Sequence, residues 1–424
     1  MPTLGAIADD FTGATDLATM LVSRGFRTLV AIGADAVDPE ASAEADAVVV
    51  ALKSRTAPVE EAVADSLAAL RALRAAGCRR YYFKYCSTFD STPRGNIGPV
   101  ADALLEAVHA DRTVVVPAFP ATGRTVRDGL LYVHGEPLDR SPMRHHPLTP
   151  MTDASLARLL CPQTRHPVRQ IPLATVRAGA AELRAAVDAP EASGALLVVD
   201  AETDDDLRTV SAATAHLGLV TGAAGLALGL TGPRPGAARA TPASAPGDPA
   251  AVLSGSASST TRAQVAHGRA HLPHRKLDVA ALRRDLPATV AGLAAFAREQ
   301  WRRDPARPPL FYAVDDLADL ERTTPPGEAP ASALIEEALA ALAVALVDDG
   351  ARRLLVAGGE TSGAVVTALE VRGLAIGAPL APGVTWARAE TGTGTGGGRN
   401  IDLALKSGNF GGTDIFTEAW SALV

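Results

Sequence analysis

Short apolar runs alternate with helical patterns along most of the chain, and no other feature constrains the fold as strongly. Leu4 to Ala8 predicts a strand and Ala14 to Ser23 a helix after it. Thr28–Ile32, Val48–Leu52, Tyr81–Tyr85, Val114–Pro117 and Leu196–Asp200 predict further strands. Between them, Val59 to Ala76 places Val63, Leu67, Leu70 and Leu73 at helical spacing and closes on Gly77. Val100–His109 predicts another helix, and Thr203 opens one with three acids in its first turn. Strands separated by helices pair in parallel and are covered on both faces, so they read as continuous apolar runs rather than alternating ones. The expected class is α/β, with a mostly parallel sheet flanked by helices. Only 4% of the residues are aromatic while small and β-branched ones abound, which suits helices packed closely on such a sheet.

The pattern stops once. Residues 231–250, TGPRPGAARATPASAPGDPA, carry five prolines and no apolar periodicity, and so predict an extended linker rather than a surface loop inside one domain. It then restarts, with strands at Val252–Ser254, Leu310–Val314, Leu354–Ala357 and Leu403–Leu405. Helices are expected at Thr260–Ala270, Leu334–Leu346 and Ile415–Leu423. A chain of 424 residues exceeds one ordinary core. The expectation is two domains, residues 1–230 and 251–424, joined by 231–250. No repeat of about 20–50 residues is visible, which sets solenoids and propellers aside.

Three cysteines without a Cys-x-x-Cys pair argue against a disulfide framework or structural zinc. The N-terminus lacks the basic, then apolar, stretch of a signal peptide, and no apolar run reaches the ~20 residues of a membrane span. A cytoplasmic protein without membrane contact is therefore expected. A net charge of −7 argues against a nucleic-acid partner.

Three segments carry chemistry. In IADDFTGATD, residues 7–16, a strand ends on Asp9 and Asp10, with Asp16 following. Ligands of open α/β sheets sit beyond the carboxyl ends of strands, where these acids fall. In FKYCSTFDSTPRGNIG, residues 83–98, a strand delivers Lys84, followed by Ser87, Thr88, Asp90, Ser91, Thr92 and Arg94. Such a loop suits a polyhydroxy carboxylate, with Arg94 as a carboxylate fork and the short side chains on hydroxyls. The bland alternative is a polar turn capped by Asn96. In RLLVAGGETSGAVV, residues 353–366, a strand ends on Gly358-Gly359 before Glu360 and Thr361. A turn of this kind aims backbone N–H groups from a helix N-terminus at a phosphate, although no Walker A string occurs. LSGSASSTT at 253–261 and LKSGNFGG at 405–412 add two more Gly/Ser-rich turns after strands.

Other features are discounted. Gly392, Gly394 and Gly397 satisfy G-x-G-x-x-G without the strand before or the helix after. His145-His146 lacks a ligand set for a metal, so a substrate or bracing role is expected.

Taken in order, ADDFTGATD, KYCSTFDSTPRGNIG, VVPAFPATGRT, AGGETSGAVV and LALKSGNFG resemble the four-carbon acid sugar kinase family over roughly residues 3–417. Residues 131–153 are most similar to its 3-oxo-tetronate 4-kinases. The resemblance implies a sugar-acid-binding first domain and a nucleotide-binding second one. It also implies ATP-dependent transfer to the C4 hydroxyl of 3-oxo-tetronate. By matching motif it places ATP on Ser258, Gly358, Gly359, Glu360, Thr361 and Gly408. The sugar acid falls among Asp9, Asp10, Lys84, Asp90, Ser91 and Arg94. One of Asp9, Asp10 and Asp90 should accept the hydroxyl proton, with the choice left open, and Mg²⁺ should accompany ATP. The chain departs from the family in the acids Asp315, Asp316 and Asp319, in the Gly/Thr run 391–398 and in its long linker.

Residues 143–151, MRHHPLTPM, are expected to read the C3 ketone through donors on His145 and His146. The metal ligands are unknown from sequence, and the assembly, monomer or homodimer, is undetermined. Two other readings stand beside this one, a D-threonate or D-erythronate 4-kinase and a non-catalytic sugar-acid sensor.

Overall fold

The computed structural model describes residues 3–145, 149–234, 242–316, 319, 329–381, 383–392 and 398–423. The chain divides into two units, Met1–Ala238 and Arg239–Val424, with the break inside the proline-rich stretch. Each side of that break is tied to its own unit. Arg234 pairs with Asp46 in the first, and Asp402 accepts from the amides of Ala243 and Ser244 in the second. Linker residues 235–241 lie outside the described residues.

In the N-terminal unit, strands β1 (Leu4–Ala8), β2 (Thr28–Ile32), β3 (Ala47–Ala51), β4 (Arg80–Lys84) and β5 (Thr113–Val116) join one parallel sheet. Strands β6 (Arg124–Arg127), β7 (Leu130–Val133) and β8 (Glu136–Pro137) form a small antiparallel sheet beyond β5. The main sheet continues with β9 (Val168–Ile171), β10 (Leu196–Val199) and β11 (Leu219–Gly222), in the order β2-β3-β1-β4-β11-β5-β10-β9. β1 and β3 are buried along their whole length, as strands covered on both faces must be.

The C-terminal unit has strands β12 (Ala250–Ser254), β13 (His274–Lys276), β14 (Leu310–Tyr312), β15 (Arg353–Ala357), β16 (Gly373–Ala381), β17 (Val384–Glu390) and β18 (Asn400–Lys406). Their order is β13-β14-β12-β15-β18-β17-β16, parallel except for β17 and β16.

Both units wind the same way. The first strand is followed by an outer one, then by one inserted between them, and the fourth crosses to the opposite side. The direction of winding therefore reverses between β1 and β4 in one unit and between β12 and β15 in the other. Such switch points leave a crevice beyond the strand ends. In register, Ala8 lies between Ala51 and Lys84, and Ser254 lies between Tyr312 and Ala357, which neighbours Lys406.

Helix α1 (Phe11–Ser23) starts three residues earlier than its apolar spacing predicts, because Asp10 caps it, Oδ1 accepting from Gly13 N at 2.9 Å. The turn holding Gly13 is thus the first turn of the helix. Helix α2 (Val59–Ala75), α3 (Ile97–Val108) and α4 (Asp204–Ala213) follow expectation, α4 with a full capping box between Thr203 and Asp206. In the second unit, α5 (Ser259–His271), α6 (Leu286–Arg303), α7 (Ala331–Asp348) and α8 (Gly359–Ala368) cover the sheet. The closing helix is shorter than expected: Ile415–Glu418 is α-helical, and Ala419–Leu423 tightens into a 3₁₀ turn. Gly377 and Pro379 interrupt the apolar run of β16, which hides that strand in the sequence. Among the described residues, no helix is long and apolar enough to cross a membrane.

Candidate functional site

At the N-terminal switch point Asp9, Asp10 and Asp90 converge on one cation that sequence reading missed. Arg55, four residues past β3, holds Asp9 with both arms, Nε to Oδ2 at 2.9 Å and Nη2 to Oδ1 at 2.8 Å. The same Nη2 lies 2.8 Å from Asp10 Oδ1, and Nη1 lies 3.9 Å from Asp90 Oδ2. Three carboxylates leaving buried strands need a counter-charge, and that need was the only sequence signal pointing to Arg55.

The loop carrying Arg55 is held from beneath. Asn96 donates to the carbonyls of Ser54, Arg55 and Ala57 at 2.7, 3.3 and 2.9 Å. Asn96 occupies the capping position of α3 but makes no side-chain cap; its amide fastens this loop instead.

Burial pushes the Asp9 carboxyl up against the pull of Arg55. Desolvation works on the half-buried Asp10 too, yet Arg55, Lys84, the Thr12 hydroxyl and the Gly13 amide outweigh it and hold the carboxyl below its ordinary value. Asp90 is the least committed of the three, since Thr88 donates to Oδ1 at 2.6 Å and Oδ2 has only the distant Arg55.

Lys84 ends β4 with 3% exposure, and its ammonium makes no hydrogen bond among the described residues. Gly13 leaves it room, because a Cβ there would stand 2.7 Å from Nζ. Ser91 braces the loop, donating to Gln163 Oε1 at 3.2 Å, which also accepts from Gly98 N. Arg94 lies exposed on the crest of the same loop. His145 ends a short 3₁₀ turn, Pro142–His145, while His146 lies outside the described residues.

At the C-terminal switch point two helix N-termini meet. Ser258 caps α5, its Oγ accepting from Thr261 N at 3.1 Å and donating to the Gly408 carbonyl at 2.5 Å. The hydroxyl is therefore spent on shaping the turn. Gly358, with φ of 126°, opens α8 in a conformation that favours glycine. Its amide donates to the Lys406 carbonyl at 2.8 Å. Thr361 is buried and fills the space beneath both turns: a Cβ on Gly255 would stand 2.2 Å from its Oγ1, and one on Gly358 2.9 Å. Gly359, by contrast, has nothing within 4 Å of where its Cβ would be, and Glu360 beside it is exposed. Exposed amides at two helix starts, with glycine in place of side chains, suit phosphate oxygens.

Lys406 ends β18 fully buried, its Nζ donating to the carbonyls of Ser407 and Gly408 at 2.9 and 3.1 Å and to Thr261 Oγ1 at 3.1 Å. No carboxylate pairs with it among the described residues, and burial pushes its pKa down to about 7. Between pH 7 and the ordinary value of 10.5 the unfolded chain binds the extra proton, so stability rises with pH across that window. Below pH 7 the whole penalty is present, at most about 5 kcal/mol. Lys406→Met is therefore expected to melt above the wild type at pH 6, with the gap closing as pH approaches 10, and to bind ATP more weakly. A gap independent of pH in thermal melts would show that Lys406 is not a strained buried cation.

The acids after β14 have a local explanation. Lys276 Nζ reaches Asp315 at 2.5 Å and Asp319 at 2.7 Å, and Arg269 also pairs with Asp315. Although burial works against it, Lys276 holds the Asp319 carboxyl well below the carboxylate range. A cavity of about 710 Å³ lies between the end of α5, β13 and α6, lined by Arg269, Arg275, Phe296 and Arg303 among others. It includes none of the Gly/Ser turns, and the convergence of two helix starts is the better guide to the nucleotide. Among the described residues, no group of three or more His, Cys, Asp or Glu is placed to hold a metal ion.

A sugar-binding N-terminal domain model matches residues 4–230, and a nucleotide-binding C-terminal domain model matches residues 251–416. A 3-oxo-tetronate kinase of Pseudomonas fluorescens is 49% identical, across 100% of this chain and 97% of its own. One from Burkholderia multivorans is also 49% identical, with the same coverage. A solved structure from Salmonella typhimurium LT2, which carries a tRNA synthase name, is 40% identical with a TM-score of 0.84 over 99% of both chains.

Proposed function

The chain belongs to the four-carbon acid sugar kinase family, and from that premise we propose that it transfers the γ-phosphoryl group of ATP to the C4 hydroxyl of 3-oxo-tetronate. The products are 3-oxo-tetronate 4-phosphate and ADP. The observation that carries this reading is the contrast between the two switch points. One gathers carboxylates around a buried, unbonded ammonium, and the other presents glycine-lined helix starts. An anionic polyhydroxy substrate fits the first, and a nucleotide phosphate chain fits the second.

Phosphoryl transfer demands alignment and charge neutralisation more than covalent help from the protein. Asp9 and Asp10 are engaged by Arg55, and Asp10 also caps α1. Their proposed role is to fix Arg55 and the floor of the site. Asp90, with one oxygen uncommitted, is the proposed acceptor of the C4 hydroxyl proton. Lys84 faces the anionic substrate, Ser91 holds the loop through Gln163, and exposed Arg94 draws the anion toward the loop.

On the second unit, the amide of Gly359 and the turn at Ser258 and Gly408 are proposed to cradle phosphates, over the post formed by Thr361, with Gly358 giving the bend that brings them close while its own amide holds the Lys406 carbonyl. Mg²⁺ is proposed to be held mainly by phosphate oxygens and water, neutralising their charge. Glu360 is the carboxylate proposed to hold that water shell, since beside bare phosphate it would repel.

ADP release with a panel of four-carbon acids tests the reading. The highest kcat/KM is expected for 3-oxo-tetronate. Preferred turnover of D-threonate or D-erythronate would give the substrate to a relative of it, and ATP binding without any turnover would leave only a sensor.

Gly359→Val tests the nucleotide site separately. The space around position 359 accepts the side chain, so the melting temperature should hold, while the ATP KM should rise about tenfold or more as the new side chain keeps phosphate from the amide. Unchanged ATP kinetics in the folded variant would remove this turn from the site.

A further inference from the structure

Arg55, Lys84 and Arg124 all lie at the carboxyl edge of the N-terminal sheet, but they differ in what answers their charge. Arg55 is committed to Asp9 and Asp10. Lys84 is buried with no hydrogen bond to its ammonium among the described residues. Arg124, in the run VVPAFPATGRT, is placed specifically. β5 runs on to Phe119, a 3₁₀ turn over Pro120–Thr122 follows, and Gly123 with φ of 75° turns the chain back. Arg124 then pairs with Phe119 through both backbone bonds, at 2.8 and 3.1 Å. A side chain at Gly123 would collide with the His134 ring at 2.3 Å, so this return is sterically set.

The guanidinium so placed has no carboxylate partner. Nη1 donates to the Thr122 carbonyl, Nε is enclosed without a partner, and no ion pair to it is found among the described residues. The carboxylates of Asp90 and Asp16 are close enough for their charges to act on it. Asp16, on α1, has 6% exposure, and its Oδ1 is likewise enclosed without a partner. The charges acting most strongly to lower its pKa are those of Lys84 and then Arg124. Desolvation pushes the Asp16 carboxyl up to about 6 against their pull, so at neutral pH it is mainly ionised and accepts hydrogen bonds.

A buried lysine and a half-buried arginine that make no ion pair among the described residues, and a buried carboxylate with an unfilled oxygen, are each costly to keep. One ligand can answer all three at once if it carries a carboxylate next to a hydroxyl. We propose that Arg124, together with Lys84, is the group that recognises the carboxylate of the acid sugar, and that Asp16 accepts the hydroxyl on the adjoining carbon. The proposal rests on the reading of the N-terminal unit as the acid-sugar site. It moves carboxylate recognition from the exposed Arg94 to a cation inside the fold.

The test compares 3-oxo-tetronate with the neutral four-carbon ketose in which CH₂OH replaces the carboxylate. Arg124→Met is expected to lower kcat/KM for the acid by about 30-fold or more while changing that for the ketose little, so that the preference for charge collapses. Arg124→Lys, which keeps the charge but not the fork, should retain part of the preference. Equal losses for both substrates, or collapse of the preference in Arg94→Ala in place of Arg124→Met, would overturn the assignment. If the wild type phosphorylates neither compound, the kinase reading fails, and calorimetric titration of four-carbon acids decides this inference alone. Acid binding that depends on Arg124 would uphold it, and its absence from the wild type would overturn it.

Discussion

Replacing Arg55 with Ala is expected to lower the melting temperature of the N-terminal unit by on the order of 10 °C, the effect of losing about 3–5 kcal/mol. The reason is what remains behind. Asp9 is buried with both oxygens facing the missing guanidinium, and Asp10 loses its contact at 2.8 Å. An uncompensated buried carboxylate costs more than the pair ever contributed, because solvation lost on folding is no longer returned. Lower pH should therefore relieve the variant. As Asp9, already pushed up by burial, takes a proton, the deficit should shrink toward pH 5. Adding Asp9→Asn to Arg55→Ala should likewise cost less than the two single losses summed. ATP affinity, measured separately, should stay near the wild-type value, because the cradle lies on the other unit. A deficit below about 1 kcal/mol, or one indifferent to pH, would mean that Arg55 does not neutralise the acids.

Asp90→Asn should lower kcat by about 10²–10⁴-fold while leaving the melting temperature and both KM values close to wild type. The substitution keeps the shape and leaves an oxygen for the Thr88 hydroxyl, so the loop has no reason to move. What it removes is the proposed acceptor for the proton of the attacking hydroxyl. Asp9→Asn and Asp10→Asn should differ in kind, since both acids are tied to Arg55 and Asp10 caps α1, and should therefore lower stability along with turnover. Rapid-quench measurement of the chemical step separates the cases. An Asp90→Asn enzyme within threefold of wild type would take the proton acceptor away from Asp90.

The acid cluster and the Gly/Ser turns were legible because their residue types are unusual where they stand. Asp9 and Asp10 leave an apolar strand, Lys84 ends another, and Gly358-Gly359 ends a third. Arg55 and Arg124 were not legible in the same way. Each is an ordinary arginine in an ordinary loop, and only the approach of a distant segment gives it a role. Arg55 reaches Asp9 across 46 residues, and Asn96 reaches the loop of Arg55 from 41 residues away. The packing of Ser258 and Thr361 was not legible either, since the Ser258 hydroxyl donates to the Gly408 carbonyl and Thr361 is buried beneath both turns.

The βα alternation, the switch from one unit to the next and the polar clusters at strand ends follow from local pattern, because burial on both faces selects continuous apolar runs and strand ends expose what succeeds them. Strand order does not follow from local pattern. Two units with no visible repeat wind alike, and the reversals between β1 and β4 and between β12 and β15 choose which strand ends share a crevice. The partners of each charge were decided at that level too. A charge's stability depends on what desolvates it and what stands within a few ångströms, and both are properties of the folded chain. Tertiary structure alone thus separates Arg55, bound to its acids, from Lys84 and Arg124, which make no ion pair among the described residues.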